Sequence, residues 1–341
     1  MRHIENDANL FSKAKLAASN TANPGIDFMF TPQGDTPVCN QSCNGCYYFA
    51  NYKPGEKAIS SGNIPNLALG LAESGYHNLF LTTSELLLAS NWEELLRATG
   101  NKYVNTNGRI IVTRGEAILD RMANAGVEQI VITANITRSH QSLNLVPQNV
   151  VETAFRKINS YNASHPDNTF GTEATVIMTA ENYDRVVEMG DYVHDVYQAN
   201  AVKFIAYMVV DGKGGLPELM PSKLQLAMVA EQIAKLREKF NLDEFYVQRG
   251  GSLGTQGLTS EKLEGLCPAG DALRSVKSFA EGAEVTPCIY IPQVRIGQIE
   301  GGKVVIDAGK LGEFTDFKTR ALDEGLCPAF AINSRSSYVN S

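Results

Sequence analysis

Six short apolar runs, at residues 26–30, 78–81, 103–105, 129–132, 174–178 and 202–208, alternate with stretches of helical periodicity. No other feature constrains the fold as strongly. The runs have strand length and are mostly β-branched or aromatic. Between them, Ile118, Met122 and Ala125 share a helix face at i, i+4, i+7, and Val186, Met189 and Val193 do so at i, i+3, i+7. Ser90 with Glu93, and Ser222 with Gln225, have the spacing by which a capping box satisfies free backbone N–H groups. Strand–helix alternation implies right-handed βαβ units and a parallel sheet. Six units over about 190 residues predict an α/β fold with a partial (β/α)6 TIM-like barrel rather than a closed eightfold one.

The pattern changes along the chain and divides it into four parts. Residues 1–24 read as an N-terminal extension, 25–220 as the barrel, 221–260 as a linking helix and loop, and 261–341 as a small α+β domain. Leu226, Val229, Ile233, Leu236 and Phe240 form the apolar stripe of the linking helix, which RGGSLGTQGLTS follows as a Gly- and Ser-rich connector. Short β-like pieces at 276–279, 285–291 and 303–306 then alternate with the turn signals EGAE and EGGK. Gly212, Gly214 and Gly215 in VVDGKGG lack the Lys-Ser/Thr of a phosphate loop and read as a turn after the sixth strand.

Composition narrows the partners. A net charge of −7, with no cluster of five or more Lys/Arg, excludes a nucleic-acid groove and an anionic membrane surface. No apolar run approaches the roughly 18 residues needed to cross a bilayer. The opening MRHIENDANLFSKAK has no apolar core for secretion, so a cytoplasmic location is expected. The five histidines are scattered without ligand spacing, and packing is the expected role of each.

Cysteine placement carries the chemistry. Cys39, Cys43 and Cys46 lie within eight residues, and Cys267, Cys288 and Cys327 lie in the last quarter. The first group follows the first strand, at the carboxyl edge where α/β folds place their sites. Three thiolates can hold three corners of a cuboidal iron–sulfur cluster and leave the fourth iron open. A zinc site completed by a distant residue, or unrelated cysteines, are the alternatives the spacing leaves.

In its Cys-x3-Cys-x2-Cys run after the first strand, the chain resembles the radical S-adenosylmethionine (SAM) enzymes, and the likeness continues in order along the barrel. NLFLTTSE stands where the family has a Gly-Gly-Glu-like segment that holds the SAM amino group, which implies a cofactor-binding role for Thr83, Ser84 and Glu85. YVNTNG supplies the Thr-Asn-Gly often found at the third strand. AGVEQIVITAN resembles the fourth strand, implying that Thr133 and Asn135 contact the SAM ribose or carboxylate. Many members carry an aromatic residue before the third cysteine; here Gly45 stands there, and Tyr47, Tyr48 and Phe49 follow. Apart from the resemblance, Thr82-x-x-Glu85 has capping-box spacing, so Glu85 also reads as a helix-start residue.

The distal cysteines resemble the shortened auxiliary-cluster (twitch) module of one subfamily. The resemblance implies a second [4Fe-4S] cluster on Cys267, Cys288 and Cys327, beside the SAM-binding [4Fe-4S] cluster on Cys39, Cys43 and Cys46. Buried apolar packing is the alternative for the distal three. The implied activity is reductive cleavage of SAM to a 5′-deoxyadenosyl radical that abstracts hydrogen from a C–H bond, with electrons from a flavodoxin- or ferredoxin-type donor. The expected substrate is a small polar metabolite of sugar or aminocyclitol type, oxidised or epimerised. Only 38 residues precede Cys39, which counts against a separate peptide-recognition domain. A ribosomally made peptide, epimerised or crosslinked, is the alternative. A metal- or iron–sulfur-binding regulator is the reading outside enzymology. No catalytic side chain is singled out.

Overall fold

The computed structural model of the protein describes residues 25–52, 57–73, 76, 79–210, 215–241, 244–250, 269, 273–279, 282–301 and 303–339. Strands β1 (Gly25–Met29), β2 (Leu79–Thr82), β3 (Tyr103–Thr106), β4 (Gln129–Ala134), β5 (Gly171–Met178) and β6 (Ala201–Ala206) lie where the apolar runs predict them. Helices α1 (Tyr47–Ala50) and α2 (Ile64–Glu73) follow β1, and α3 (Trp92–Thr99) follows β2. Helices α4 (Arg109–Arg114) and α5 (Glu116–Asn124) follow β3, while α6 (Arg138–Ser142) and α7 (Gln148–Ser164) follow β4. Helix α8 (Val186–Tyr192) follows β5, and α9 (Lys223–Lys239) follows β6.

Of the three pairs with capping-box spacing, one forms the box. Ser222 N donates to Gln225 Oε1 at 2.7 Å and Gln225 N returns a bond to Ser222 Oγ at 3.3 Å, which starts α9. The Ser90–Glu93 box does not: α3 is preceded by Asn91, and Glu93 turns instead to Arg121 of α5 at 2.8 Å. A cation within reach outcompetes a backbone amide for that carboxylate.

The sheet is built in two sections. One runs β3-β4-β5-β6-β7, all parallel, where β7 (Tyr246–Gly250) lies within the stretch 221–260 expected to hold only a helix and loop. The other runs β2-β1-β8-β9-β10-β11, adding β8 (Leu273–Phe279), β9 (Gly282–Thr286), β10 (Gly297–Glu300) and β11 (Lys303–Ile306). β8 is parallel to β1, with Asp27 opposite Ser275, so the C-terminal strands extend the barrel sheet; β8 to β11 pair antiparallel. Helices α10 (Ala308–Asp323) and α11 (Pro328–Val339) close the chain. Among the described residues no ladder joins β2 to β3. Asn101 Nδ2 spans that seam to Leu79 O at 2.6 Å, and Thr106 Oγ1 spans it to the Glu85 carboxylate at 3.0 Å. The arrangement is a partial, open barrel.

Strand alternation sorts the two faces. Ile130, Ile132, Val176, Val202 and Phe204 are buried in one core with Phe155 and Ile158 of α7 and Ile233 and Leu236 of α9. Each large side chain contributes about 1.5–3 kcal/mol by leaving water. The opposite face is polar near the strand starts. There Glu173 pairs with Lys203 Nζ and accepts from Gln129 Nε2 at 3.4 Å and Gln248 Nε2 at 3.3 Å. This band floors the barrel at its amino end, so the carboxyl end is the mouth. No helix among the described residues is long and apolar enough to cross a membrane.

Candidate cofactor site

Residues 39–46 occupy the connection from β1 to α1, on the carboxyl side of the sheet. Within the loop, backbone N–H groups of Gln41 and Asn40 donate to the Cys39 sulfur. Side chains and carbonyls from three other connections add the long-range ties. After β2, Ser84 Oγ donates to Val38 O. After β3, Asn107 Nδ2 donates to Asn40 Oδ1 at 2.6 Å, and Arg109 donates twice to Gln41 Oε1, at 2.8 and 3.1 Å. After β4, Leu143 O accepts from Asn44 N at 2.9 Å and Ser142 O accepts from Asn44 Nδ2 at 2.8 Å. Gln41 and Ser42 are further tied to Asn144, which adopts a left-handed backbone with φ 52°. Cys46 then starts α1, its carbonyl accepting from Ala50 N at 3.0 Å.

The electrostatics follow from partial burial. Removal from water pushes the Cys43 thiol up to about 12, and raises Cys39 and Cys46 as well. Cys39 and Cys46 raise Cys43 further, while Arg109 opposes the rise. The three thiols are close enough to act on one another electrostatically. A donor set of three thiols with the Arg109 cation alongside fits a cuboidal iron–sulfur cluster that keeps one iron without a protein ligand.

Glu85 sits beside this loop, 1% exposed. Burial pushes its carboxyl up to about 7 against the pull of Asn107 N at 2.9 Å, Thr106 Oγ1 at 3.0 Å and Leu87 N at 3.4 Å. The bond to Leu87 N starts a short 3-10 turn. Thr82, the other half of the expected box, donates to Asp27 Oδ1 instead. Glu85 is thus both a turn cap and a buried carboxyl near the thiols, since it raises the Cys39 pKa by its charge.

The remaining sequence candidates fall in different places. Thr83 lies beside the Tyr48 hydroxyl, and Thr133 on the inner face of β4, paired in register with Thr175. Asn135 is buried and spends its amide on Val146 O at 2.9 Å, holding the segment between α6 and α7. Cys267 lies outside the described residues. Cys288 is half-buried in the turn after β9, and Cys327 is buried just before α11. The two groups meet through aromatics: Tyr47, next to Cys46, packs edge-to-face on Tyr290 at 5.2 Å. Burial raises the Tyr290 hydroxyl pKa, with smaller contributions from Cys288, Asp27, Cys327 and Cys46. Sequence reasoning did not single out Asn40, Gln41, Arg109, the residues 142–144 or Tyr290 as site residues. Only Arg109, directly after Thr-Asn-Gly, carried a local cue.

No protein-family model matches the chain, and no curated protein matches its sequence. Solved structures do match in fold. Streptococcus suis SuiB bound to S-adenosylmethionine superposes with a TM-score of 0.62 at 14% identity, covering 89% of this chain and 71% of SuiB. SuiB bound to precursor peptide SuiA gives 0.61 at 14% identity, covering 88% and 69%. A histidine-tagged anSMEcpe with bound AdoMet gives 0.59 at 14% identity, covering 92% and 90%. SuiB and anSMEcpe are radical SAM enzymes, and this chain has their fold, a partial barrel continued by a C-terminal extension.

Proposed function

We propose that the chain is a radical SAM enzyme that modifies a peptide. The observation that carries the proposal is the Cys39/Cys43/Cys46 loop, latched over the mouth of a half-barrel that matches such enzymes over most of its length. Cys39, Cys43 and Cys46 would hold a [4Fe-4S] cluster, and Cys267, Cys288 and Cys327 a second, auxiliary one. Held by those thiols, the first cluster would supply the electron for reductive cleavage of SAM, and with it the radical chemistry that takes hydrogen from a substrate C–H bond. An external flavodoxin- or ferredoxin-type protein is the proposed source of that electron.

The protein's own part is placement and exclusion of water. Glu85, Thr83 and Ser84 at the β2 tip, with Thr133 on β4, offer polar contacts for SAM. The Glu85 carboxyl, poised near 7, gains a charge when an ammonium group approaches and so fixes its orientation. Asn135 supports the site indirectly, through Val146. Tyr47, Tyr103 and Tyr290 all lie near enough to Asp27 of β1 to feel its charge, which groups them inside the barrel.

The peptide reading has better support than the expected sugar or aminocyclitol. SuiB was solved with precursor peptide SuiA, and anSMEcpe with a Cp18Cys peptide at a TM-score of 0.56 to this chain. The test is anaerobic reconstitution with iron and sulfide, followed by dithionite and SAM. 5′-Deoxyadenosine is the expected product, and its absence with clusters intact would favour a regulator. Short peptides encoded beside the gene are then added, and mass spectrometry is expected to find one altered by hydrogen loss or solvent deuterium uptake. Turnover of an aminocyclitol with no peptide altered would reverse the substrate assignment.

A further inference from the structure

Gly45 precedes Cys46 and has φ +68°, in the left-handed region. A Cβ on residue 45 would stand 2.2 Å from the Tyr207 hydroxyl oxygen and 3.0 Å from its Cζ. A Cβ on Gly215 would stand 2.9 Å from the same oxygen. Leu216 N donates to that oxygen at 2.9 Å. One phenol therefore sits between two glycines from distant parts of the chain, held in place by a backbone amide. Tyr207 follows β6, is 5% exposed, and packs with Leu143, whose carbonyl accepts from Asn44 N. The ring thus touches both the cysteine loop and the segment that latches it.

We propose that Tyr207 is a positioning residue for the cysteine loop: filling the space a side chain at position 45 would take, it fixes the turn that aims Cys46. The proposal rests on the cluster assignment above. It also explains why glycine stands before the third cysteine, since both the backbone sign and the phenol exclude a side chain there. The segment after β6, at Gly215 and Leu216, thereby reaches the cysteine loop at Gly45 through a single ring.

The test uses full-length, reconstituted protein and reads iron per chain, SAM affinity, and the EPR spectrum of the reduced cluster with and without SAM. Tyr207→Leu is expected to retain iron and thermal stability, weaken SAM binding about tenfold, as loss of a supporting partner does elsewhere, and alter the SAM-induced EPR change. Tyr207→Phe keeps the ring but loses the oxygen and its bond from Leu216 N, and is expected to fall between the parent and Tyr207→Leu. Gly45→Ala is expected to lose the first cluster's iron, and Gly45→Ala/Tyr207→Leu to regain part of it. Parent-like affinity and spectra in Tyr207→Leu, or a parent-like Gly45→Ala, overturn the proposal. If the parent itself shows no SAM-responsive signal, the cluster assignment fails and this inference falls with it.

Discussion

The two cysteine groups differ in how much of their support is polar latching and how much is packing. Cys39, Cys43 and Cys46 lie on a loop shaped by polar side chains from the connections after β2, β3 and β4, the last of them Asn144. The Cys288 turn is latched too, by Asn51 Nδ2 donating to Ile289 O at 3.0 Å and Asn333 Nδ2 to Tyr290 O at 2.9 Å, but it and Cys327 add local backbone bonds and apolar packing. The Cys288 carbonyl accepts from Ile291 N at 3.0 Å, the Cys327 carbonyl from Ala331 N at 2.9 Å, and Cys327 belongs to the main hydrophobic core. A site assembled from convergent barrel loops can present open coordination and adjustable polar contacts. A site embedded in packed turns and helices offers rigidity. The contrast matches the roles proposed for them, cofactor activation at the first and a supporting cluster at the second.

The largest expected effect tests that division of roles. Cys43→Ala should abolish 5′-deoxyadenosine formation, whereas Cys327→Ala should lower iron yet leave SAM cleavage measurable. Product by chromatography and iron by colorimetry decide, and equal loss of cleavage in both variants would erase the distinction.

A smaller effect comes from acid. His140 on α6 is fully buried, and burial lowers its pKa to about 4, with Arg185 adding to the depression and the Ile177 carbonyl opposing it. Its Nδ1 accepts from Ile136 N at 3.0 Å and Thr137 N at 3.3 Å, while Nε2 donates to Ile177 O at 2.7 Å. The unfolded chain takes up this proton near 6.5 and the folded one only near 4. The contribution is therefore complete above about pH 6.5, declines as pH falls, and amounts to about 3 kcal/mol lost by pH 4. Because α6 leads directly into residues 142–144, acid should loosen the first cysteine group before the second. Melting curves from pH 7 to 4 should show a steeper fall for the parent than for His140→Gln; parallel curves would remove His140 from the account.

The smallest effect concerns Glu85. With its pKa near 7, the carboxylate form that pairs with an ammonium grows as pH rises, so SAM affinity should climb between pH 6 and 8. Glu85→Gln should flatten that rise and weaken binding about tenfold at pH 8, the value of one charge-assisted hydrogen bond. Calorimetry on the reconstituted protein would show it. An unchanged slope would leave Glu85 only as the cap of its 3-10 turn.

Much of this was legible in the sequence because it is locally encoded. The strands of the barrel are short β-branched or aromatic runs, and the cysteine spacing announces itself. Strand β7 was not legible: in Tyr-Val-Gln-Arg-Gly only Val247 faces the main core, and its pairing comes from β6 and from Arg237, which donates to Val247 O at 2.8 Å. The latches escaped for a similar reason. Arg109 meets Gln41 and Asn44 meets Ser142 across long stretches of chain, and no local pattern marks such pairs. Gly45 looked like a missing aromatic until Tyr207 was seen to fill its space.

The seam between β2 and β3 has its own consequence. Where two strands share a ladder, their separation is set by peptide geometry, and widening the wall requires an inserted or deleted strand. Here the joint is made by Asn101 and by Glu85 with Thr106. Of these, Glu85 is tied to the thiol site, whereas Asn101 is not. The spacing of the two sections at this seam thus rests on side chains, which single substitutions change one at a time.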